Sequence, residues 1–201
     1  MLFTSVNNFF DDPDLLRQIA LDADYRVNES DDPEDEGWKG MRTLPLRELN
    51  NDFLDDCTEK VYEYLMDYGD FTNYVYPKSA GLPELAGRKP RDLVLTTYFH
   101  IVTNNLKNAY QDFWVERFHQ DHLPFAGVVY LTPDAPVECG TSILDAKNSR
   151  IRNVYNEYNK LVAYDGYALH GVSDTFGDDK KSGRLTFTFF LHEQDFTDDF
   201  D

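Results

Sequence analysis

The pattern of apolar and polar positions changes its period near residue 91. Before that point, apolar residues recur at spacings of three and four, which is typical of amphipathic helices. After it, short apolar runs are separated by turn sequences, which is typical of strands. The pattern therefore predicts helices in the N-terminal part of the chain and a sheet-rich part after them.

Two helices are predicted. The first starts after Asp11 or Asp12, carries a proline in its first turn and runs through DLLRQIAL. The second starts at Leu46, and its apolar stripe consists of Leu46, Leu49, Phe53, Cys57, Val61, Tyr64, Leu65 and Tyr68. Polar segments with Gly and Pro at 22–44 and 69–90 are predicted to be loops.

Six β-rich runs follow residue 90 with no helical segment between them. They are DLVLTTYFHIVT, AYQDFWVERFH, FAGVVYLT, TSIL, KLVAYDGYALHGV and RLTFTFFLHE. Short strands joined by turns favour an antiparallel sandwich or barrel over an α/β sheet. We therefore predict a mainly β fold, a double-stranded β-helix (jelly roll) with N-terminal packing helices. We expect a single domain over 1–201, with a helical and loop extension at 1–90, the jelly-roll core at 91–192 and an acidic tail at 193–201.

The formal net charge of −18 is concentrated at the periphery. Residues 11–36 hold eleven Asp and Glu against two Arg, and residues 193–201 hold five acids and no base. Residues 91–192 are close to neutral, with twelve acids and ten bases. This distribution favours solubility and disfavours a nucleic-acid groove, without excluding one.

Three further features limit the class of protein. No apolar run approaches the roughly 20 residues of a membrane span, so no membrane association is expected. The opening segment MLFTSVNNFFDDPD lacks the basic start of a signal peptide. Cys57 and Cys139 are too few for a disulfide framework or a thiolate metal site, and Cys57 lies on the apolar stripe, where we expect it in the core. We expect a cytoplasmic protein.

The segment RFHQDH, residues 117–122, places polar side chains between apolar stretches. In an extended strand, His119 and Asp121 project to one face. His170, near the end of a predicted strand, is a third candidate. Two histidines and one carboxylate suit Fe(II) and leave three positions open for a chelating co-substrate and dioxygen. The alternatives are surface polarity near a turn and a hydrogen-bonded histidine at a strand end. Three further histidines are mostly expected to be bystanders: His100, His192 and His122, which alternation directs to the opposite face.

The run GRLTFTFFLHE alternates between two faces. One face, predicted to pack against the helices, holds Leu185, Phe187, Phe189 and Leu191. The other, predicted to face the barrel, holds Arg184, Thr186, Thr188 and Phe190. Burying a guanidinium costs several kcal/mol unless an anion meets it. A dicarboxylate co-substrate would supply that anion as a bidentate partner of Arg184; the alternatives are an internal pair with Asp165 or a cap on the sheet edge.

The order of these motifs resembles the prolyl-4-hydroxylase-like 2-oxoglutarate, Fe(II)-dependent oxygenases, and most of all a branch found in phages and marine bacteria. The motifs are H-x-D at 119–121, VVYL at 128–131, ECGTSI at 138–143, His170 and GRLT at 183–186. FFDDPDLLRQIAL and GWKGMRTLPL also resemble the opening of that branch. The resemblance covers nearly the whole chain. Cys139 departs from it, because the branch usually has glycine there, and a thiol near iron is oxidisable.

The resemblance implies a role for each motif residue. His119, Asp121 and His170 are expected to bind Fe(II), Arg184 to bind 2-oxoglutarate, and Tyr98 to add a hydroxyl to the co-substrate. The expected activity is that of a dioxygenase, a hydroxylase that couples 2-oxoglutarate decarboxylation to oxidation of an unidentified substrate. The expected partners are dioxygen and a peptidyl side chain or small metabolite, ahead of a nucleobase. Three aromatic residues are candidate substrate contacts: Tyr130, Trp114 and Trp38.

Two other functions are compatible with a jelly roll. One is a non-catalytic binding or assembly module that kept the fold and lost turnover. The other is a cupin-like metal enzyme, which would not need Arg184. Since the three candidate ligands and the arginine are all present, the sequence favours the oxygenase.

Overall fold

The computed structural model describes residues 3–27, 40–68, 75, 87, 89, 91–105, 117–145 and 150–194. Its helices are α1 (Pro13–Asp22) and α2 (Asp52–Tyr68), and a 3₁₀ turn spans Leu46–Leu49. Its strands are β1 (Phe3–Val6), β2 (Arg26–Val27), β3 (Met41–Arg42), β4 (Leu93–Val102), β5 (Phe125–Tyr130), β6 (Thr141–Asp145), β7 (Arg150–Val154), β8 (Leu161–Tyr164), β9 (His170–Val172) and β10 (Arg184–Glu193). No helix in this part of the chain is long and apolar enough to cross a bilayer.

The strands form two antiparallel sheets. The seven-stranded major sheet has the order β1-β8-β5-β10-β4-β3-β2, and the three-stranded minor sheet has the order β7-β6-β9. His119 extends the minor sheet by an isolated bridge to His170 on β9. A mainly β fold with antiparallel sheets and two helices confirms the predicted jelly roll.

The two faces of the major sheet bury different clusters. One face, called the helix face, packs against α1 and α2, and its β10 residues are Leu185, Phe187, Phe189 and Leu191. The other, called the inner face, points toward the minor sheet, since Tyr98, Tyr130 and Phe190 cluster there with Ile143 of β6 and Val154 of β7. The alternation predicted for β10 is therefore confirmed.

The first helix matches its prediction. The side chain of Asp12 caps α1 by accepting from the backbone N–H of Leu15 at 3.0 Å. Pro13 occupies the first turn, and Leu16 and Ala20 are the buried positions. The helix therefore begins and ends where its capping residues and apolar spacing indicate.

The second helix begins later than predicted. Asn50 adopts a left-handed backbone conformation with φ of 48° and separates the 3₁₀ turn from α2. Asn51 then accepts from the backbone N–H of Phe53 at 3.1 Å and starts the helix. The buried stripe of α2 is Leu54, Cys57, Val61 and Leu65, so Cys57 is in the core as predicted. Leu49 and Tyr68, at the two ends of the predicted stripe, are exposed.

Several strands differ from the sequence prediction. β1 and β7 were not predicted, and the predicted loop at 22–44 contains the short strands β2 and β3. The run KLVAYDGYALHGV divides into β8 and β9, which belong to different sheets. Glu193, assigned to the acidic tail, is the last residue of β10. Residues 195–201 and 106–116, including most of the run AYQDFWVERFH, lie outside the described residues, as does most of the 69–90 connection.

Candidate metal and co-substrate site

Three side chains that the sequence singled out meet in space. His170 Nε2 lies 3.1 Å from one carboxylate oxygen of Asp121, and His119 Nε2 lies 3.5 Å from the other. One ligand atom from each residue falls within 4.8 Å of the others. His170 and Asp121 are largely buried, whereas the His119 side chain is 53% exposed. These three residues, called the metal group below, could hold a metal ion that is reached from solvent on the His119 side.

Backbone carbonyls orient both imidazoles. His170 Nδ1 lies 2.8 Å from the carbonyl oxygen of Ala168, and His119 Nδ1 lies 3.3 Å from that of Arg117. An Nδ1–H that donates to a carbonyl leaves Nε2 with the lone pair that binds a metal. Both histidines therefore present Nε2 toward Asp121 as ready ligand atoms.

The charges of the metal group stabilise one another. Burial by itself would raise the pKa of Asp121, but the charge that His170 carries when it is protonated, and the hydrogen bonds that both protonated imidazoles donate, hold that pKa well below its usual range. Burial lowers the pKa of His119, and the hydrogen bond and charge of Asp121 more than offset this and leave it raised. The carboxylate is therefore ionised at neutral pH, as metal binding requires.

The segment that carries His119 and Asp121 is not the continuous strand that was predicted. Only His119 pairs with β9, through two backbone hydrogen bonds of 2.9 Å with His170. Asp121 is held instead by its N–H, which donates to the Gly166 carbonyl at 2.9 Å. His122 has a φ of 55°, is exposed and is not part of the metal group; its ring centroid lies 6.3 Å from that of Tyr167. Two backbone anchors, not strand alternation, bring the carboxylate beside the two imidazoles.

Arg184 starts β10 on the inner face and is 3% exposed. Its Nη2 donates to Thr141 Oγ1 at 3.2 Å, and its guanidinium carbon lies 5.2 Å from the ring centroid of Tyr130. Its Nε is buried with no hydrogen-bond partner among the described residues, and no described carboxylate forms an ion pair with it. Among the described residues no ion pair joins Arg184 to Asp165, which accepts instead from the Tyr167 N–H, and Arg184 does not cap a sheet edge, because β10 is a central strand.

Thr141 and Tyr130 complete a polar cluster around this arginine. The Tyr130 hydroxyl lies 2.7 Å from Thr141 Oγ1, the atom that also accepts from Arg184. Burial raises the pKa of Tyr130, and the charge of Arg184 opposes this. The sequence did not predict a site role for Thr141, which was only part of the ECGTSI motif, because its contact with β10 depends on how the two sheets face each other.

Tyr98 occupies a different part of the inner face. It pairs with Thr188, four residues along β10 from Arg184. The guanidinium of Arg42 lies over its ring, 5.1 Å from the centroid, and 5.5 Å from the centroid of Phe190. Sequence reasoning did not single out Arg42, although GMRT was part of the family likeness.

The remaining candidates are placed as follows. His100 and His192 are outside the metal group, and His192 Nε2 lies 2.7 Å from Thr96 Oγ1. Cys139 is buried, with its Sγ 3.8 Å from the Thr175 carbonyl oxygen. Trp114 and Trp38 lie outside the described residues.

Known structures share this fold, although a scan against protein-family models and a search of the curated proteins gave no match. HygX from Streptomyces hygroscopicus, solved with nickel, 2-oxoglutarate and hygromycin B bound, has a TM-score of 0.56 and 11% identity, over 96% of this chain and 83% of that chain. A putative oxygenase from Shewanella oneidensis has a TM-score of 0.50 and 17% identity, over 95% and 81%. A prolyl-4-hydroxylase from Pseudomonas putida has a TM-score of 0.49 and 14% identity, over 96% and 92%.

These likenesses concern the fold. The chain has the double-stranded β-helix fold of 2-oxoglutarate oxygenases, and the resemblance drawn from the motifs is confirmed at that level.

Proposed function

We propose that the chain is a 2-oxoglutarate- and Fe(II)-dependent oxygenase that hydroxylates its substrate. The observation that carries this proposal is the buried Arg184, which has neither a hydrogen-bond partner for its Nε nor a paired carboxylate among the described residues. A buried guanidinium with spare donors is costly unless an anion arrives. A group of two imidazoles and one carboxylate with metal-ligand spacing lies next to the same inner face, since the ring of Tyr164 in the inner-face cluster lies 4.5 Å from that of His170. The fold, shared with a structure that contains 2-oxoglutarate, supports this combination.

The donor set fits ferrous iron. Two imidazole nitrogens and one carboxylate oxygen are the donors of facial sites that leave coordination positions open. His119, Asp121 and His170 would hold the ion, and the Ala168 and Arg117 carbonyls would keep the rings oriented. When bound, iron with 2-oxoglutarate and dioxygen supplies the oxidising chemistry, with succinate and carbon dioxide as the co-products.

Arg184, Thr141 and Tyr130 fit the far carboxylate of 2-oxoglutarate. The arginine offers a fork of N–H donors, and the two hydroxyls already meet beside it. At about 3.3 Å per residue, Tyr98 lies roughly 13 Å along the strand pair from Arg184, too far to share that carboxylate. We therefore propose that Tyr130 contacts the co-substrate and Tyr98 contacts the substrate, which is the reverse of the roles expected from the sequence.

An anaerobic Fe(II) titration tests the metal group. We expect one Fe(II) per chain, and loss of tight binding in His119→Ala, Asp121→Ala and His170→Ala, because two remaining ligands are too few for a labile ferrous ion. His122→Ala is the matched control, since this exposed histidine is not part of the metal group, and it should bind as the wild type does. Unchanged stoichiometry in His170→Ala would contradict the assignment.

Addition of 2-oxoglutarate to the iron-loaded protein then tests the co-substrate. A charge-transfer band that saturates with 2-oxoglutarate, followed by succinate release in air, is expected for an oxygenase. Iron binding without any response to 2-oxoglutarate would favour the cupin-like enzyme, and no binding of either would favour a non-catalytic module. Membership of the phage and marine branch, and a cytoplasmic location, stay predictions.

A further inference from the structure

The strand β7 (Arg150–Val154) is an exposed edge of the minor sheet. The sheet has the order β7-β6-β9, so β6 is the partner of β7 among the described strands. Four of the five residues of β7 are exposed. An exposed edge strand presents unpaired backbone groups with which a further strand can pair.

The hydrogen bonds of β6 show which backbone groups of β7 face outward. The Leu144 N–H donates to the Leu169 carbonyl at 2.7 Å, on the side of β9. Because the hydrogen-bonding direction alternates along an antiparallel strand, the residues on either side of Leu144 bond with β7 instead. Their register partners on β7, of which Arg152 is one, bond inward. The N–H and C=O groups of Ile151 and Asn153 therefore point away from the sheet, and they have no backbone partner among the described residues.

Two arginines give this edge a positive charge. Arg150 and Arg152 project from one face of β7, and both are exposed. Neither forms an ion pair with a described residue. The Arg152 guanidinium carbon lies 4.5 Å from the ring centroid of Phe3 on β1, and such stacking leaves the N–H donors at the guanidinium edge able to bind an anion. Since the whole chain has a formal net charge of −18, a positive edge stands out from its surroundings and attracts acidic partners.

The other face of β7 contributes to an apolar row on the outer surface of the minor sheet. Ile143 belongs to the cluster between the sheets, so Leu144, the next residue, projects outward. Ile151 lies opposite Leu144, and Leu169 lies beside Leu144 on its other side. Ile151 is 53% exposed and Leu169 is 39% exposed. This row offers a contact to an aliphatic side chain on a strand that pairs with β7.

The charges of this edge disfavour a second copy of β7 as its partner. In antiparallel pairing about Ile151, Arg150 of each copy would lie opposite Arg152 of the other, and like charges directly opposite one another are destabilising. An extended segment with acidic residues at alternate positions would set a carboxylate opposite each arginine and the residue between them opposite Ile151. Charge therefore selects an acidic strand over a second copy.

We propose that β7 is a docking edge for a partner protein, an acidic segment of which binds in extended form as a further strand of the minor sheet. The segment carries Asp or Glu opposite Arg150 and Arg152, and an aliphatic residue opposite Ile151. Backbone hydrogen bonds to Ile151 and Asn153 supply affinity, and the alternate side chains supply specificity. This inference goes beyond the proposed function and needs neither iron nor 2-oxoglutarate.

Fluorescence anisotropy with a labelled peptide tests the pairing. The probe is the alternating peptide TEVEVET, titrated with the full chain, and saturable binding is expected. The reordered peptide TEEVVET has the same composition without the alternation, and TKVKVKT has the opposite charge. Both should bind more weakly by roughly tenfold or more, because they lose the match of side chains to the two faces of β7.

Variants of the chain separate the charge of the edge from its backbone. Arg150→Glu combined with Arg152→Glu should weaken binding of TEVEVET roughly 10- to 100-fold, because two attractive pairs become repulsive. Lys180→Glu combined with Lys181→Glu makes the same change of charge in an exposed turn and should bind as the wild type does. Ile151→Pro removes an outward N–H, which an edge strand tolerates, and should weaken binding roughly tenfold. If that variant does not fold, hydrogen exchange in the wild type replaces it: the amides of Ile151 and Asn153 should exchange more slowly when the peptide is bound.

Three results would overturn the proposal. If the wild type does not bind TEVEVET, the arginines serve only to keep the edge from pairing with other chains. If TEEVVET binds equally well, or the exchange of the Ile151 and Asn153 amides is unchanged, the attraction is ionic and no strand is added. A dimer in sedimentation velocity that Ile151→Pro dissociates would assign the edge to a second copy of the chain.

Discussion

Arg184 and the two lysines just before it differ in burial, and burial determines how strongly a cationic side chain can bind an anion. Lys180 and Lys181 lie in an exposed turn, where Lys180 Nζ donates to the Ala23 carbonyl at 3.4 Å. Arg184 is nearly inaccessible to water and has the hydroxyl of Thr141 as its described hydrogen-bond partner. Electrostatic attraction strengthens as water is excluded. We therefore expect the arginine, and not the lysines, to determine affinity for a dicarboxylate.

Truncation of Arg184 tests this expectation. Arg184→Ala would leave a bound carboxylate buried and unpaired, which costs about 2–5 kcal/mol. Affinity for 2-oxoglutarate should therefore fall roughly 30- to several thousand-fold, measured by titration of the charge-transfer band. Fe(II) affinity should barely change, because Arg184 is not one of the three candidate ligands.

Three further variants complete that experiment. Arg184→Lys should recover part of the affinity, because it keeps the charge and loses the fork of donors. Lys180→Ala and Lys181→Ala should titrate as the wild type does. A normal titration in Arg184→Ala together with a weakened one in either lysine variant would show that the co-substrate lies elsewhere.

Cys57 offers a test of the helix-side core. Burial against the major sheet raises the pKa of its thiol to about 12, so almost no thiolate exists at pH 8. In a Cys139→Ala background, Cys57 should not react with a thiol reagent at pH 8 in native buffer and should react fully in guanidinium. Rapid labelling of the native protein would mean that α2 does not pack against the sheet as described.

At the scale of elements, the metal group depends on how closely the 117–121 segment approaches β9. A Cβ on Gly171 would collide with the carbonyl oxygen of Arg117. The Arg117 guanidinium in turn donates to the carbonyl of Val172 at 2.8 Å. A glycine on β9 and an arginine side chain across from it thus keep His119 and His170 paired.

Gly171→Ala should loosen the metal site. The backbone near Arg117 must move away, which shifts His119 relative to His170, and displaced ligand support typically costs 10–100-fold in metal affinity. We expect a loss of about that size for Fe(II), measured by anaerobic titration.

Gly127→Ala is the matched control on the major sheet. A Cβ there would collide with the Val162 carbonyl and the Phe189 ring, which belongs to the helix face. This variant should lower the melting temperature without lowering Fe(II) affinity per folded chain. If both glycine variants lose iron equally, the approach to β9 is not the specific support of the site.

Individual helices and strands show which parts of the fold the sequence could predict. α1 was predictable because Asp12, Pro13 and the apolar spacing act locally. The start of α2 was not, because the left-handed Asn50 is compatible with the apolar spacing around it. β7 reads RIRNV, with four exposed residues, so it lacks the apolar alternation that identifies a strand.

The candidate site also has a part that the sequence predicted and a part that it did not. His119, Asp121 and His170 were predicted to meet, and the structure brings them together, although the strand alternation invoked for two of them is absent. Thr141 and Arg42 owe their places to pairing between distant segments, which residue spacing does not encode. The H-x-D motif and the alternation of β10 were enough to predict His119, Asp121 and Arg184 as candidate site residues. The contacts between the two sheets could be seen only in the structure.

At the scale of the whole molecule, the acidic surplus surrounds a nearly neutral core sequence. Duplex DNA or RNA should therefore bind weakly at physiological salt, no tighter than the non-specific range of ~10⁻⁴–10⁻⁶ M. Fluorescence anisotropy with labelled duplexes at several salt concentrations checks this. Nanomolar binding would contradict it and would make a nucleobase the leading substrate candidate.

The bridge between His119 and His170 also bears on how the chain assembles. The two partners are separated in sequence by β5, β6, β7 and β8, so the bridge closes a long loop. Because the strands of this loop belong to both sheets, the bridge forms when both sheets are in place. An unfolded chain thus presents no chelating site, and an ion that binds only the native form stabilises it by mass action. Iron would be taken up as a late step of maturation, and its loss would shorten the lifetime of the folded state.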